Sequence, residues 1–375
     1  MKKCLAVIMT LALLATGALV GCGSQAPETA QQAEVTQDTE PAQDTEPAQD
    51  TEPAQDTEPA ASDDGVTVIG ISLDTLDDPY WVGMMTGIER AVAELGDRVR
   101  IDVQISQGDA VVQARQIQDM ITAGVDAILC VYVDQEAIVS SIRLANEAGI
   151  PFVFSDRPVD SSPDAEVAWG TSTDCFALSQ MGWEWMVDYA RSNDIEQLRV
   201  LELVGSLTDA NVLKRTNGFE AVMDANPDFI ERVQSVPTEW NLEMALAGAT
   251  NALQANPDIN VIFMHSDFLL APTIQALEAA GRWVPLGEEG HVIVMPYGGN
   301  TLGLSVVADG YVPMTLGMNT LNIGYEALMA AFDIANGDTA NYTAPKEDPG
   351  FLITYYNFDE TAPMAFGWSG LEAGE

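Results

Sequence analysis

Charged and aromatic side chains cluster directly after the first and fourth predicted strands of the chain. Asp78, Tyr80 and Trp81 follow the first of these strands, and Asp156 and Arg157 follow the fourth. Carboxylate and guanidinium groups form directional hydrogen bonds, whereas Tyr and Trp offer flat apolar faces for stacking. This combination of residue types fits the non-covalent binding of a small polar molecule that also has apolar surface.

Comparable side chains follow the predicted strands in the second half of the chain. Ligands of open α/β sheets bind beyond the carboxyl ends of the strands, so functional side chains are expected at those positions. The candidates in this half are Asn211, Arg215, Trp240, Ser266, Asp267 and Tyr297.

Catalytic chemistry has few suitable residues in this sequence. It contains two histidines, His265 and His291, no GxGxxG after the first strand, and no P-loop, GxSxG or HExxH motif. Cys130 lies within an apolar strand, which favours a packing role, and Cys175 has no histidine near it in the sequence. No CxxC pair indicates a zinc or redox site. We therefore expect no enzymatic activity, no cofactor and no metal site.

An alternation of strands and helices, beginning at Val66, must position the candidate residues. Amphipathic stretches such as that from Tyr80 to Leu95 separate short apolar runs. Such apolar runs, with helices between them, are typical of parallel sheets covered on both faces. They are too numerous for one compact sheet, so the sequence predicts an α/β protein of two doubly wound parallel-sheet lobes. The main predicted strands are Val66–Ser72, Arg100–Ile105, Asp126–Val133, Pro151–Ser155, Arg199–Val204, Val233–Val236, Asn260–His265 and His291–Pro296.

The first 65 residues differ in composition from the rest. Two lysines precede an apolar stretch, residues 5–20, which is too short to span a membrane but typical of a secretory signal, here residues 1–21. The sequence Leu19-Val20-Gly21-Cys22 resembles the bacterial lipobox and predicts lipidation of Cys22. Tandem TEPAQD repeats follow, and residues 22–65 contain too few apolar side chains to form a core, which predicts a disordered acidic tether. We expect an extracytoplasmic protein that a lipid anchors to the bacterial cell membrane.

The charge of the chain excludes one class of partner. Acidic residues number 57 and basic residues 15, for a formal net charge of -42. Nucleic-acid binding depends on Lys and Arg side chains that neutralise phosphates, so nucleic acid is not an expected partner.

The folded part, from about Thr67 to Tyr356, resembles type I periplasmic solute-binding proteins of the ribose-binding and related sugar-binding family. The resemblance implies two lobes joined by a hinge of three crossovers, and a monomer. The first lobe would comprise residues 66–172 plus 319–353, and the second residues 173–318 plus 354–375. Four motifs carry the resemblance: Asp78-Pro79-Tyr80-Trp81, Ser155-Asp156-Arg157, Lys214-Arg215-Thr216-Asn217-Gly218-Phe219 and Phe263-Met264-His265-Ser266-Asp267.

The resemblance implies specific roles for the first-lobe candidates. Asp78 stands where the family usually has an Asn or Asp that bonds sugar hydroxyls. Tyr80 and Trp81 stand where aromatic rings sandwich the sugar. Asp156 and Arg157 match an Asp-Arg pair that holds neighbouring hydroxyls.

The second lobe both matches the family and departs from it. Arg215 matches the second-lobe arginine, and Trp240 matches the opposing aromatic ring. The departures suggest a ligand that is less polar or larger than ribose. They are Ser266 for the usual Asn, Tyr297 for the usual Asp, and Met318 for the usual Gln, with Asn319 beside it as a further candidate.

We therefore expect a lipid-anchored receptor that closes around a monosaccharide or related small ligand and delivers it to an ABC permease. Stacking of a sugar on Trp81 and Trp240 would remove apolar area worth ~25 cal/mol per Å², and hydrogen bonds to charged groups would add ~1.5–3 kcal/mol each.

A nucleoside, a signalling furanose or a polyol is an alternative ligand. An alternative role is that of a sensor subunit of the same fold, which reports its ligand to a membrane kinase or chemoreceptor.

Overall fold

The computed structural model of the protein describes residues 65–373. The expected signal peptide, the lipidation site Cys22 and the tether, apart from Gly65, lie outside these residues. Within them, no helix has the length and apolar composition needed to cross a membrane.

The described residues form thirteen strands and eleven α-helices in alternation. The strands are β1 Thr67–Leu73, β2 Val99–Ile105, β3 Ala127–Cys130, β4 Phe152–Ser155, β5 Trp169–Thr173, β6 Leu198–Val204, β7 Ile230–Pro237, β8 Val261–Met264, β9 Ile293–Met295, β10 Tyr297–Gly298, β11 Met314–Gly317, β12 Lys346–Asp348 and β13 Phe351–Thr354. The helices are α1 Pro79–Leu95, α2 Ala110–Ala123, α3 Ile138–Glu147, α4 Cys175–Ser192, α5 Ala210–Ala225, α6 Leu242–Ala255, α7 Leu270–Ala279, α8 Thr301–Ala308, α9 Thr320–Ala335, α10 Phe358–Thr361 and α11 Trp368–Ala373.

The first lobe is built on a six-stranded parallel sheet in the order β12-β5-β4-β3-β1-β2. Helices α1, α2, α3 and α9 pack on it. The strands β3, β4 and β5 are buried along their whole length, as expected for a parallel sheet covered on both faces.

The second lobe contains two neighbouring sheets. A four-stranded parallel sheet has the order β7-β6-β8-β9, and a three-stranded sheet has the order β10-β11-β13, in which β13 is antiparallel to β11. Pro296 separates β9 from β10, because proline has no N–H to donate to a ladder. Its carbonyl oxygen accepts a hydrogen bond from the Leu316 N–H at 3.1 Å, which joins the segment to β11.

The chain passes between the lobes three times: between β5 and α4, between β11 and α9, and between β12 and β13. These positions confirm the predicted class of two α/β lobes joined by three crossovers. The third crossover lies before Phe351, whereas the resemblance implied a crossover after residue 353. The difference arises because Phe351–Thr354 pairs with Met314–Gly317 of the second lobe.

Two glycines allow α1 and α9 to pack backbone to backbone. A Cβ atom on Gly87 would lie 1.9 Å from the Leu321 carbonyl oxygen, and one on Gly324 would lie 2.2 Å from the Met84 carbonyl oxygen. A side chain at either position would force the helices apart. The contact matters for function because the N-terminus of α1 carries Asp78, Tyr80 and Trp81.

Candidate ligand-binding site

A cavity of about 640 Å³ lies between the two lobes, at the carboxyl ends of their strands. Loops that follow β1, β4, β6, β7 and β8 all contribute side chains to its wall. This volume lies within the range of ~300–1,000 Å³ that is typical of small-molecule sites. The location is the one that strand topology favours for ligands.

The start of α1 presents one wall of the cavity. Asp78 caps the helix, its Oδ1 accepting a hydrogen bond from the Tyr80 N–H at 2.9 Å, and Pro79 occupies the first turn, where no N–H is needed. The rings of Tyr80 and Trp81 meet edge to face, with centroids 4.9 Å apart. Burial raises the pKa of Asp78 to about 6, although the bond from the Tyr80 N–H acts in the opposite direction.

Asp156 occupies a strained backbone position in the cavity wall. Its φ is 67°, a left-handed conformation that few non-glycine residues adopt. The Tyr80 hydroxyl donates to Asp156 Oδ1 at 2.5 Å, and Asn211 Nδ2, from the other lobe, donates to Asp156 Oδ2 at 3.2 Å and to its carbonyl oxygen at 3.1 Å. The carboxylate is therefore held from both lobes, and its burial raises its pKa.

Arg157 also joins the lobes. Its Nη1 donates to Asp74 Oδ2 at 2.8 Å and to the Tyr132 carbonyl oxygen, and its Nε lies 3.1 Å from Oδ2 of Asp209 in the second lobe. The guanidinium carbon lies 5.1 Å from the centre of the Trp81 ring. Both carboxylate partners are almost fully buried, so the charge of Arg157 is locally compensated.

Arg215 contributes the second guanidinium of the cavity wall. Its Nη1 donates to the His265 carbonyl oxygen at 2.7 Å, and its guanidinium carbon lies 4.5 Å from the centre of the Tyr297 ring. The centre of the Trp240 ring lies 6.0 Å from the same carbon. Aromatic rings thus fix the orientation of this cation.

Trp240 reaches the cavity from an unusual backbone. Glu239 and Trp240 both have positive φ values, 50° and 55°. A Cβ atom on Gly205 would lie 2.0 Å from Cζ2 of the Trp240 indole, so the ring lies directly against the Gly205 backbone. Trp81 and Trp240 therefore line the same cavity from opposite lobes.

Eight of the residues expected to bind ligand line this cavity, and four do not. The eight are Asp78, Tyr80, Trp81, Asp156, Arg157, Arg215, Trp240 and Ser266. The other four, Asn211, Asp267, Tyr297 and Asn319, lie outside its lining.

The four residues outside the lining have other positions in the fold. Asn211 bonds to Asp156, and Tyr297 is fully buried beneath Arg215. Asn319 is the residue before α9. Asp267 accepts a hydrogen bond from the Asn300 N–H at 2.6 Å, and burial raises its pKa to about 8.

Sequence reasoning missed several residues of the wall. Asp74 directly follows β1, and Asp209 caps α5 by accepting a hydrogen bond from the Asn211 N–H. Asp74 obeys the strand-end rule that located the other candidates, and the same rule extended to the N-cap of the following helix would have found Asp209. Gly205 has no side chain to signal its role, which depends on Trp240.

The cysteines of the described part are buried free thiols. Cys130 and Cys175 form no disulfide. Burial raises the pKa of Cys130 to about 12, which keeps this thiol protonated near neutral pH.

Comparisons with known proteins agree with this architecture. The model of the periplasmic binding protein domain matches residues 69–339. The chain is 26% identical over 275 residues to the ribose import binding protein of Bacillus subtilis, covering 73% of this chain and 84% of that protein. It is 28% identical to the D-allose-binding periplasmic protein of Escherichia coli, covering 70% of this chain and 83% of that protein.

Solved structures share the fold. A solute-binding protein of an ABC transporter from Bacillus halodurans, with bound myo-inositol, superimposes with a TM-score of 0.70 at 22% identity, covering 81% of this chain and all of that one. The family-model match spans well over half of the chain and confirms the resemblance seen in the sequence. The chain belongs to the periplasmic binding protein family, in its ribose-binding-like, type I branch.

Proposed function

We propose that this protein is the substrate-binding lipoprotein of an ABC transporter and that it captures a monosaccharide or related polyhydroxylated ligand in the cavity between its lobes. One observation carries the proposal: Trp81 and Trp240 line a single cavity from opposite lobes, together with Asp78, Asp156 and Arg215. The ribose and allose named for its relatives support this ligand class.

The chemistry of the cavity wall suits such a ligand. A sugar has apolar C–H faces that stack on indole rings, and burying this area contributes ~25 cal/mol per Å². Its hydroxyls both donate and accept hydrogen bonds, so they can satisfy carboxylates and guanidinium groups at once. A sugar that lacks one of these hydroxyls leaves a buried polar group of the cavity unpaired, so the site selects against it.

Contacts across the interlobe boundary support a closing motion. Arg157 pairs with Asp209, and Lys214 Nζ of the second lobe lies 2.7 Å from Glu347 Oε1 on β12 of the first. These pairs form only when the lobes approach each other. A ligand that contacts both lobes would favour the closed state by the free energy of those contacts.

The membrane anchor and the permease complete the proposed role. Acyl chains on Cys22 would hold the protein at the extracytoplasmic face of the membrane, since each buried methylene contributes ~0.8 kcal/mol. The tether would let the folded part, a monomer, reach the permease. We infer delivery of ligand and no chemical conversion of it.

A thermal-unfolding screen of the full-length chain against monosaccharides, polyols and nucleosides tests this function. A ligand present at 100 times its dissociation constant stabilises the folded state by ~2.7 kcal/mol. We expect a clear rise in Tm with at least one sugar or polyol, and recovery of that ligand unchanged by mass spectrometry. A flat response across these compounds would contradict the proposed ligand class, and a converted ligand would contradict the binding role.

Uptake measurements separate transport from sensing. Cells that lack the gene should lose uptake of the labelled ligand if the protein feeds a permease. Normal uptake with loss of a ligand-induced response would favour the sensor role.

A further inference from the structure

The cavity wall carries a large excess of negative charge. Two cationic side chains line it, Arg157 and Arg215, and neither a lysine nor a histidine contributes to the lining. The carboxylates of the lining number seven: Asp74, Asp77, Asp78, Asp134, Asp156, Asp209 and Glu239.

The guanidinium groups do not balance these carboxylates. The charge of Arg157 is taken up by Asp74 and Asp209, which lie on either side of it. No carboxylate of residues 65–373 forms an ion pair with Arg215, which instead contacts a carbonyl oxygen and two aromatic rings. Five lining carboxylates therefore form no ion pair within the described residues.

Two of these five carboxylates belong to the inner wall. Asp156 is 3% exposed, and its partners are the neutral Tyr80 hydroxyl and the neutral Asn211 amide. Asp78 is partly buried, and its partner is a backbone N–H. A buried carboxylate that forms no ion pair is costly, and burial raises the pKa of both Asp78 and Asp156 although the nearby charges of Arg157 and Arg215 act in the opposite direction. The acidity of the protein as a whole does not explain these two inner-wall carboxylates, because the carboxylates of an acidic surface are solvated.

Aromatic residues that line the same cavity stand close in the sequence to two of the unpaired carboxylates, Asp78 and Glu239. Tyr80 and Trp81 follow Asp78 in the first turn of α1, and Trp240 follows Glu239 across the cavity. The faces of such rings attract ammonium groups, as carboxylates do. A cation in this cavity would thus meet two kinds of favourable partner.

The remaining carboxylates surround the opening of the cavity. Asp77 and Glu239 are exposed and Asp134 is partly exposed. Charges of one sign at the rim of a cleft focus the field, attract ligands of opposite charge and repel those of like charge.

We propose that the cavity selects a hydroxyl-rich ligand that carries a positive charge, such as an amino sugar or an aminocyclitol, over its neutral parent, and that it rejects sugar acids. The proposal rests on the proposed function, because it concerns the same cavity. The ligand class follows from its positive charge, which the five unpaired carboxylates would stabilise.

Calorimetry with matched ligands on the full-length chain tests the proposal. The probes are D-glucosamine, D-glucose, N-acetyl-D-glucosamine and D-glucuronate, the corresponding galactose set, and an aminocyclitol with myo-inositol. We expect an amine to bind about tenfold or more tightly than its neutral parent, since charge-assisted hydrogen bonds are roughly twice as strong as neutral ones. The N-acetyl compound should lose this advantage, and the acid should bind most weakly.

Two variants locate the preference at Asp78. Asp78→Asn keeps a good helix cap but removes the charge, so the ratio of amine to parent affinity should fall by about tenfold. Asp119→Asn, at an exposed position on α2 outside the cavity, is the matched control and should keep the ratio. The part of the preference that comes from the exposed rim carboxylates Asp77 and Glu239 should also shrink in 1 M salt, where the Debye length is about 3 Å.

The outcomes distinguish this inference from the proposed function. A neutral parent that binds as tightly as its amine, or an unchanged ratio in Asp78→Asn, overturns the inference and leaves sugar binding intact. Failure of every probe to bind overturns both.

Discussion

The indole of Trp240 lies against the backbone of Gly205, where a Cβ atom would be 2.0 Å from the ring. Gly205 follows β6 directly, and its φ is not in the left-handed region. Glycine is therefore needed here for the space that it leaves and not for its backbone conformation. The Trp240 side of the cavity therefore owes its position to the absence of a side chain on Gly205.

Gly205→Ala should displace the Trp240 ring towards the cavity and weaken ligand binding. Overpacking at a filled site also destabilises the fold, by ~1–3 kcal/mol. Calorimetry and urea unfolding measure the two effects. In a Trp240→Ala background the clash is absent, so Gly205→Ala should then have little effect on either quantity. An equal effect in both backgrounds would contradict the contact.

Arg157→Met should destabilise the protein strongly, because it leaves Asp74 and Asp209 buried without their cation. Removing one partner of a buried ion pair costs about 3–5 kcal/mol. The variant also removes a contact between the lobes, so the ligand-free protein should be more extended in small-angle X-ray scattering.

The control for this variant is Arg199→Met, which breaks the partly exposed pair with Glu231. Such pairs contribute about 0–1 kcal/mol. Equal losses of unfolding free energy in the two variants would argue against a buried bridge at Arg157.

Asp267 should make the protein less stable as the pH rises from about 4 to about 8. Burial raises the pKa of its carboxyl from 3.8 to about 8, so across this window the folded state holds a proton that the unfolded state has lost. The contribution of Asp267 to the unfolding free energy then falls by ~1.4 kcal/mol per pH unit, and its penalty is complete above pH 8.

Asp267→Asn should remove this slope and keep an acceptor for the Asn300 N–H. Urea unfolding between pH 4 and 9 compares the two proteins, with the exposed Asp188→Asn as control. Parallel profiles for the original protein and Asp267→Asn would refute the shift.

Most of the fold was predictable because its signals are local. The apolar runs at β1, β3, β6 and β8, and the amphipathic stretch that forms α1, were located within a few residues. By contrast, β5 and β12 read Trp-Gly-Thr-Ser-Thr and Lys-Glu-Asp, which lack a strand pattern and are strands because of the neighbours with which they pair. The third crossover depends likewise on the pairing of β13 with β11.

The candidate site was likewise predictable only in part from the sequence. The strand-end rule placed Asp78, Asp156 and Arg215, which line the cavity, but it also selected Asp267 and Tyr297, which lie outside its lining. Sequence position fixes the end of a strand, whereas the direction of a loop side chain depends on packing. The compensation of Arg157 by two carboxylates could not be deduced, because Asp74 and Asp209 belong to different lobes.

The most direct test of the account is a calorimetric titration of the ligand found by the thermal screen into the original protein, Trp240→Ala and a control, Trp185→Ala. Trp185 stacks on Tyr189 of α4 and does not line the cavity. Loss of stacked apolar area should weaken binding about 10- to 100-fold in Trp240→Ala, since each tenfold loss corresponds to about 1.4 kcal/mol. The control should bind as the original protein does. Unchanged affinity in a folded Trp240→Ala protein would contradict ligand binding between Trp81 and Trp240.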